Sequence, residues 1–490
     1  MQNIKTRFIT HTTFFFLVYA VMFYVVIRSV SMVMTHDEAY SFYNAKHFWW
    51  VETLCTGNTH WFNFLAMKTS VLFGLEKTSQ LRWFTLLSSG VFLTTVYFWI
   101  KSLKDIPSKV LAFSFALLNP FLMDYLSLAR GYSTAMMFEG LSITCYYLAL
   151  SQSRQVVKNT KRNLPVLSLF FAGMAAIANF NFFYFFVAFS IIYFYKYHFK
   201  KGLAIIKDKL FYVEFIYIVG ISALVIKALR FITICSNDIG AYGGNDLVSS
   251  VFAGYVQTLL YQEGLISSAS VQIIAYVICL FVIVSAIFGI LFSKKHKCIW
   301  YSFASTLVLM MLALTVFNKW FLDVLYPTHR TVLMFYPLIA MVLIGFVNFV
   351  ITKQNIKAII SYSIGACFAV HFFMNVSLHY FFDYWQQADT KTCFTYLDSL
   401  GAQKVGIAPE LFGVYRNYYQ LTNKYKFKFE GKSINTAFPI GLDASQKELQ
   451  QFEYLVLFPP YNLSFYKNNK VKLRVVKYYK NTGTLIIAIR

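Results

Sequence analysis

Long apolar runs follow one another along this chain from the N-terminus to about residue 380. A helix needs about 20 mostly apolar residues to cross a bilayer, whereas the strands of a membrane β-barrel would alternate apolar and polar residues. A water-soluble globule is also excluded, because 58% of the 490 residues are hydrophobic, 13% are charged and the mean hydropathy is +0.54. The sequence therefore predicts an all-α polytopic membrane protein.

The apolar runs predict about eleven transmembrane helices at the usual span length. They cover residues 11–34, 83–100, 110–123, 132–150, 164–178, 182–195, 210–226, 271–292, 299–317, 331–351 and 358–380. The run 132–150 contains one carboxylate, Glu139, which is costly inside a bilayer and is expected to find a partner or to line a groove.

Lysine and arginine are concentrated in every second connection, which predicts the orientation because cytoplasmic loops hold more of these residues. The basic connections contain Lys5 and Arg7, then Lys101, Lys104 and Lys109, then Arg154, Lys158, Lys161 and Arg162, then Lys196 to Lys209, then Lys294, Lys295 and Lys297, then Lys353 and Lys357. The net charge of +23 arises largely in these connections. Topology and anionic headgroups explain it, so nucleic acid is not an expected partner.

The same alternation places the remaining connections together on the extracytoplasmic face. These are residues 35–82, the segment around Arg130, the loop 230–268, the connector around Arg330 and everything after residue 380. Residues 381–490 have the composition of a small α/β domain, with predicted strands at 404–408, 454–458, 472–479 and 485–489 and a predicted helix at 410–421. The expected domains are therefore 1–380 in the membrane and 381–490 outside it.

Two adjacent carboxylates, Asp37 and Glu38, come directly after the first apolar run. A charged side chain costs roughly 2.5–3.5 kcal/mol at a bilayer centre, so this pair marks the point where the chain leaves the lipid. Many aromatic rings follow, from Tyr40 to Trp50. Rings of this kind favour the headgroup layer, so the segment is predicted to lie along the membrane as an amphipathic helix in the first outer loop.

Four short motifs on the predicted outer face resemble those of the GT-C glycosyltransferases, integral-membrane enzymes that take a sugar from a polyprenyl-phosphate carrier. The motifs are Asp37-Glu38-Ala39-Tyr40, His60 ahead of an apolar stretch that ends in Phe73-Gly74, Leu81-Arg82 at the second span, and Ala129-Arg130-Gly131-Tyr132. The similarity extends over about the first 150 residues and is greatest to protein mannosyltransferases and the aminoarabinose transferase. Members of the family often have prolines after the histidine, where this chain has Trp61-Phe62.

The resemblance implies sugar transfer with inversion, in which the acceptor hydroxyl loses a proton to a carboxylate and cations hold the departing phosphate. By motif position Asp37 is the expected base, with Glu38 orienting the acceptor or a metal. Arg130 and Arg330 are candidates for the carrier phosphate because a guanidinium binds two oxygens at once. Tyr40, His60 and His329 complete the predicted substrate-binding set.

Each of these residues also has a structural interpretation. Asp37 and Glu38 can be a solvated helix end. Arg130 can anchor a helix at the headgroups or pair with Asp124, and His60 and His329 can be ordinary interfacial histidines. The sequence alone is consistent with both the functional and the structural interpretation.

The predicted function is a membrane glycosyltransferase, hexosyl or pentosyl, that uses a polyprenyl-phosphate-sugar donor and a lipid, glycan or protein acceptor. The active site is expected on the extracytoplasmic face of a bacterial inner membrane. A divalent metal is an optional cofactor in this prediction, because the sequence contains no ligand cluster that decides metal dependence. The alternatives are a lipid-linked-sugar flippase, a polysaccharide exporter without transferase activity, and an inactive lipid-binding scaffold.

Overall fold

The structure is a computed structural model of the 490-residue chain. It describes residues 2–48, 60–152, 160–199, 208–236, 243–261, 266–296, 299–425, 452–459 and 473–489. The predicted aromatic positions Trp49 and Trp50 lie outside these ranges.

Helices account for most of the described chain. The α-helices are α1 Gln2–Ser31, α2 His36–His47, α3 Trp61–Leu72, α4 Thr78–Leu81, α5 Trp83–Ser102, α6 Ile106–Leu117, α7 Pro120–Ser127, α8 Gly131–Gln152, α9 Thr160–Ala178, α10 Phe183–Tyr197, α11 Lys209–Ser236, α12 Ala253–Leu260, α13 Ser268–His296, α14 Ile299–Leu322, α15 Tyr336–Val350, α16 Gln354–Asn375, α17 Thr390–Ser399 and α18 Pro409–Val414. Short 3-10 helices lie at Phe180–Phe182, His329–Phe335 and Phe382–Gln387, and π-helical turns at Val248–Phe252 and Tyr415–Tyr419.

Seven helices in the described ranges are long and apolar enough to cross a membrane, or up to eight if one bent pair counts as a span. Helices cover most of every run that the sequence predicted as a span. The chain is thus an all-α polytopic membrane protein with a small C-terminal sheet, as predicted, and the number of helices that cross the bilayer stays a prediction.

The predicted span 110–123 is two helices, not one. α6 ends at Leu117 and α7 begins at Pro120, with a bend of 57° between them. Asn119 caps α7 by accepting hydrogen bonds from the backbone N–H groups of Phe121 and Leu122, and Pro120 takes the first helical position. Asparagine and proline favour a helix start in these positions, so the chain stops and restarts here.

The described contacts divide the chain into two compact units. The first unit comprises Met1–Val26, Trp50–Asn63 and Trp83–Val376; the second comprises Ile27–Trp49, Phe64–Arg82 and Ser377–Arg490. In the first unit α8 packs against α5 and α9, α13 against α14 and α15, and α6 against α15 and α16. The predicted division at residue 380 was drawn from composition and stays a prediction.

Connections that were predicted to share a face contact one another in the first unit. On the predicted cytoplasmic side Lys357 Nζ donates to Asp105 Oδ2 at 2.6 Å, and Lys109 Nζ lies 3.5 Å from His11 Nδ1. Burial acts to raise the pKa of Asp105, but hydrogen bonds from Lys357 and Ser108 outweigh it and lower that pKa. On the predicted outer side Gly244 pairs with Tyr326 through two backbone hydrogen bonds. The contacts agree with the alternation in sequence, and which side faces the cytoplasm stays a prediction.

The second unit contains a four-stranded sheet in the order β1-β2-β4-β3, with β1 Val405–Ile407, β2 Tyr454–Leu457, β3 Leu473–Tyr479 and β4 Thr484–Ile489. β1 and β2 are parallel, with Gly406 opposite Leu455, and the other pairs are antiparallel. Gly483 has a φ of +67° in the turn between β3 and β4, which glycine adopts at no steric cost. All four predicted strands and the predicted helix after residue 409 are confirmed.

Candidate functional site

The adjacent acids Asp37 and Glu38 lie in the first turn of α2, which follows α1 after a short break. Thr35 is the cap of this helix. Its Oγ1 accepts from the backbone N–H of Glu38 at 3.3 Å, and its own N–H donates to Glu38 Oε2 at 3.1 Å. This reciprocal capping box fixes the start of the helix, and carboxylates are favoured near a helix N-terminus by its dipole. The helix predicted for this loop is confirmed.

Glu38 is fully buried and forms an ion pair with Arg82. Arg82 Nε donates to Oε1 at 2.8 Å, and Nη2 donates to Oε2 at 2.6 Å. This bidentate geometry is the strong form of an arginine–carboxylate contact. Glu38 therefore has a structural role at the beginning of α2, while its predicted role in orienting an acceptor or a metal stays a prediction.

The Arg82 guanidinium also closes the end of α1. It donates to the backbone carbonyls of Ser29 at 2.9 Å, Met32 at 3.2 Å and Val33 at 2.8 Å. Carbonyls in the last turn of a helix have no partner within the helix, so a buried cation satisfies them there. One side chain thus joins the end of α1 to the start of α2.

A second buried arginine, Arg28, lies within the first apolar run. It donates to the carbonyls of Ser377 at 2.6 Å and Tyr380 at 3.1 Å. The Phe381 ring lies 5.1 Å from the Arg28 guanidinium and 5.4 Å from that of Arg82. Arg28 was missed in the sequence, although a charge inside a predicted span is expensive and usually has a purpose.

Asp37, the predicted base, is 6% exposed. Its Oδ2 accepts a hydrogen bond of 2.5 Å from the hydroxyl of Tyr384, which is equally buried. Its Oδ1 lies 3.8 Å from Nδ1 of His36, whose side chain is 38% exposed. The backbone N–H of His36 donates to Gln387 Oε1 at 2.7 Å. Tyr384 and Gln387 were not singled out in the sequence, and nothing there distinguished them from other polar residues near 380.

Tyr40 is half-buried one turn further along α2. The same helix is in contact with α18 and with the π-helical turn after it. A Cβ at Gly413 would lie 2.3 Å from Cδ2 of His36, so α18 can approach this closely only with glycine there. The Arg416 guanidinium lies 5.7 Å from the ring of Tyr43.

In the first unit, His60 packs directly on the motif that contains Arg130. A Cβ at Gly131 would lie 2.6 Å from His60 Nδ1 and 2.3 Å from the carbonyl oxygen of Ala178. The His60 ring is 5.8 Å from that of Tyr132. The glycine of the motif therefore allows the histidine, α8 and the end of α9 to meet. The structure thus brings His60 to the motif that contains Arg130.

Arg130 follows α7 and is 2% exposed. Asp124, which the sequence offered as a partner for it, accepts hydrogen bonds from the Tyr261 hydroxyl at 3.0 Å through both carboxylate oxygens. Glu139, in contrast, has no hydrogen-bond partner for either oxygen among the described residues. The partner expected for Glu139 is thus not found among the residues that the structure describes.

His329 and Arg330 begin the 3-10 helix ahead of α15. His329 is exposed and has a φ of +47°, a conformation uncommon outside glycine, while Arg330 is half-buried. A Cβ at Gly254 in α12 would lie 2.7 Å from the His329 backbone nitrogen. This 3-10 helix is also in contact with Phe180–Phe182, and Phe180 lies against Trp61 at 6.0 Å. The segments with His60, Arg130 and Arg330 therefore form one connected region of the first unit.

The predicted site residues fall into two groups. Asp37, Glu38 and Tyr40 belong to the second unit, and His60, Arg130, His329 and Arg330 to the first. Their roles stay predictions. In the ranges that the structure describes, no three His, Cys, Asp or Glu side chains form a group able to hold a metal ion.

Replacing Gly131 by alanine is expected to destabilise the first unit by about 1–3 kcal/mol, because the added methyl group has no space beside Ala178 and His60. The measurement is the unfolding temperature in detergent. Gly220→Ala is the matched control, since nothing lies within 4 Å of a Cβ at that position. Equal unfolding temperatures for the two variants would contradict the close approach.

No protein-family model matches this sequence. A comparison with curated proteins also found no match. Among solved structures, the chain is similar to ArnT from Cupriavidus metallidurans bound to undecaprenyl phosphate, with 9% identity, a TM-score of 0.53, and 97% of this chain and 98% of that chain covered. The apo state of the same protein matches at 10% identity with a TM-score of 0.40 over the same shares. The chain therefore has the fold of ArnT, a GT-C aminoarabinose transferase, as its motifs predicted.

Proposed function

We propose that this protein is a membrane glycosyltransferase that moves a sugar from a polyprenyl-phosphate-linked donor to a lipid, glycan or protein acceptor. The observation that carries the proposal is Asp37, a buried carboxylate fixed in the first turn of the helix that follows the first apolar helix. It lies in the acid motif of a chain with an ArnT-like fold. Fold alone does not establish function, so the site residue is needed for the argument.

In the proposed reaction Asp37 acts as the base. It takes the proton of the acceptor hydroxyl while the oxygen attacks the anomeric carbon, and the bond from that carbon to the phosphate oxygen breaks. The products are the glycosylated acceptor and the polyprenyl phosphate, and a single displacement inverts the configuration. A positioned base of this kind contributes typically 10²–10⁴-fold.

Arg130 and Arg330 are the proposed partners of the carrier phosphate, with His60, His329 and Tyr40 around the donor and acceptor. Support comes from the connected region of the first unit, in which the segments of His60, Arg130 and Arg330 meet. Guanidinium groups stabilise charge that develops on a departing phosphate. The ArnT structure contains undecaprenyl phosphate, and a lipid of that class is the donor carrier that we propose here.

The proposed location is the extracytoplasmic face of a bacterial inner membrane. The alternation of basic connections supports this orientation. The contacts among connections of the same predicted side agree with the alternation. A sugar carried on a membrane lipid would then be used where the lipid presents it, at the surface of the bilayer.

The test is a transfer assay with purified protein, a radiolabelled polyprenyl-phosphate sugar and membrane extract as the source of acceptors. Label is expected to move from the carrier to a new product, and free polyprenyl phosphate is expected to accumulate in equal amount. Passage of the intact labelled lipid across vesicles without transfer would contradict the proposal and favour a flippase or exporter.

A further inference from the structure

The segment that follows the last apolar helix contacts the first turn of α2 at two points. The Tyr384 hydroxyl donates to Asp37 Oδ2 at 2.5 Å, and Gln387 Oε1 accepts from the backbone N–H of His36 at 2.7 Å. Tyr384 is 6% exposed and Gln387 is 5% exposed. Residues more than 300 positions away in the sequence therefore contact the side chain of the predicted base, Asp37, and the backbone of the residue before it, His36.

We propose that Tyr384 is a positioning residue for Asp37, and this inference depends on the proposed function in which Asp37 is the base. An aspartate side chain can rotate its two oxygens about the bond to its carboxyl carbon, a torsion with broad preferences. A hydrogen bond from a phenol to an ionised carboxylate is short and about twice as strong as a neutral one. By holding Oδ2, Tyr384 fixes the plane of the carboxylate and hence the direction in which Oδ1 lies.

Tyr384 is itself held in place by the residues that precede it in the chain. Its N–H donates to the carbonyl of Phe381 at 3.0 Å, and the Phe381 ring lies beside the guanidinium groups of Arg28 and Arg82. Arg82 joins the end of α1 to the start of α2, and Arg28 donates to carbonyls shortly before Phe381. The position of Tyr384 is thereby linked to the helix that carries Asp37.

Beyond Tyr384, the chain is tied to the sheet. Thr390 Oγ1 donates to the carbonyl of Gln387 at 2.6 Å, and Thr482 Oγ1, in the turn between β3 and β4, donates to Asp389 Oδ2 at 2.9 Å. Side chains fixed by their own surroundings can keep a reacting group within the narrow range of productive geometry. The C-terminal part of the chain thus contributes to catalysis through Tyr384.

The experiment compares Tyr384→Phe with wild type in the transfer assay over a range of pH. The variant keeps the ring and loses only the hydroxyl. A fall in kcat of about 10- to 100-fold with little change in KM is expected, because misplacing a reacting group by about 1 Å can cost 10² in rate. The acid limb of the pH profile is expected to move to higher pH, because the lost hydrogen bond favoured the ionised carboxylate.

Tyr418→Phe is the matched control. The Tyr418 hydroxyl is also buried in the second unit and donates to the carbonyl of Glu76 at 3.0 Å, without a contact to Asp37. Wild-type kcat and pH profile are expected for it. Gln387→Met serves as a second variant. It removes the acceptor for the His36 N–H but leaves the hydrogen bond from Tyr384 to Asp37 intact. We therefore expect kcat to fall while the acid limb of the pH profile stays in place.

The outcomes separate this inference from the proposed function. If Asp37→Asn abolishes transfer while Tyr384→Phe keeps the kcat and pH profile of wild type, the positioning role is overturned and the transferase stands. If Tyr384→Phe and Tyr418→Phe lose activity equally with unmoved pH profiles, the effect is structural and the inference is also overturned. If Asp37→Asn is as active as wild type, the proposed base is wrong, and Tyr384 has no base to position.

Discussion

Asp37→Asn is expected to lower kcat by about 10²- to 10⁴-fold, with a much smaller change in KM, because an amide cannot take the proton of the acceptor hydroxyl. Asparagine has nearly the same shape as aspartate, and its carbonyl oxygen can still accept from Tyr384, which donates to Asp37 at 2.5 Å in the structure. The fold is therefore expected to survive the change. The measurement is the initial rate of sugar transfer from the labelled carrier at saturating donor.

Asp323→Asn is the control for the loss of an acidic residue. The Asp323 side chain is 91% exposed and pairs with Lys319 four residues earlier. Its φ of +49° suits asparagine at least as well as aspartate, so wild-type activity and an unchanged unfolding temperature are expected. Transfer by Asp37→Asn at the wild-type rate would show that another group removes the proton.

The membrane helices could be predicted because the bilayer imposes a length and a composition that few other segments meet. Helices cover most of every predicted span, but the break in one of them was not foreseen. Asn119 followed by Pro120 is a known signal for the start of a helix, and the residue before a proline disfavours helical geometry. This signal for a helix start was present in the sequence, but the continuous apolar run 110–123 favoured the prediction of a single span.

The strands of the C-terminal domain could be predicted from local composition, whereas their order could not. The predicted strands at 472–479 and 485–489 are β3 and β4, which the turn at Gly483 joins as a hairpin. The parallel pairing of β1 with β2 joins segments that are distant in the sequence. Local patterns specify which face of a strand is buried but not which distant strand lies beside it.

The start of α2 shows how much of a site a sequence reveals. Thr35 and Glu38 form the pattern of a capping box, so the structural use of Glu38 could have been foreseen. Tyr384 could not, because it is one of 35 tyrosines and meets Asp37 only through the tertiary fold. The structure gives Glu38 an arginine and Asp37 a phenol as partners, and the sequence motif named neither partner.

The ion pair between Glu38 and Arg82 predicts a large loss of stability when it is broken. Arg82→Met is expected to cost about 3–5 kcal/mol, because it leaves a fully buried carboxylate without its cation. The change also removes the donors to the carbonyls of Ser29, Met32 and Val33. The measurement is the unfolding temperature in detergent, or the yield of folded protein if the variant does not survive purification.

The double variant Glu38→Met, Arg82→Met is expected to be more stable than Arg82→Met alone, because replacing both members of a buried pair by apolar groups leaves no uncompensated charge. Lys46→Met is the matched control in the same unit: its pair with Glu76 is partly exposed, at 29% and 27%, and is expected to contribute about 0–1 kcal/mol. If Arg82→Met unfolded at the temperature of Lys46→Met, the pair would not hold the start of α2.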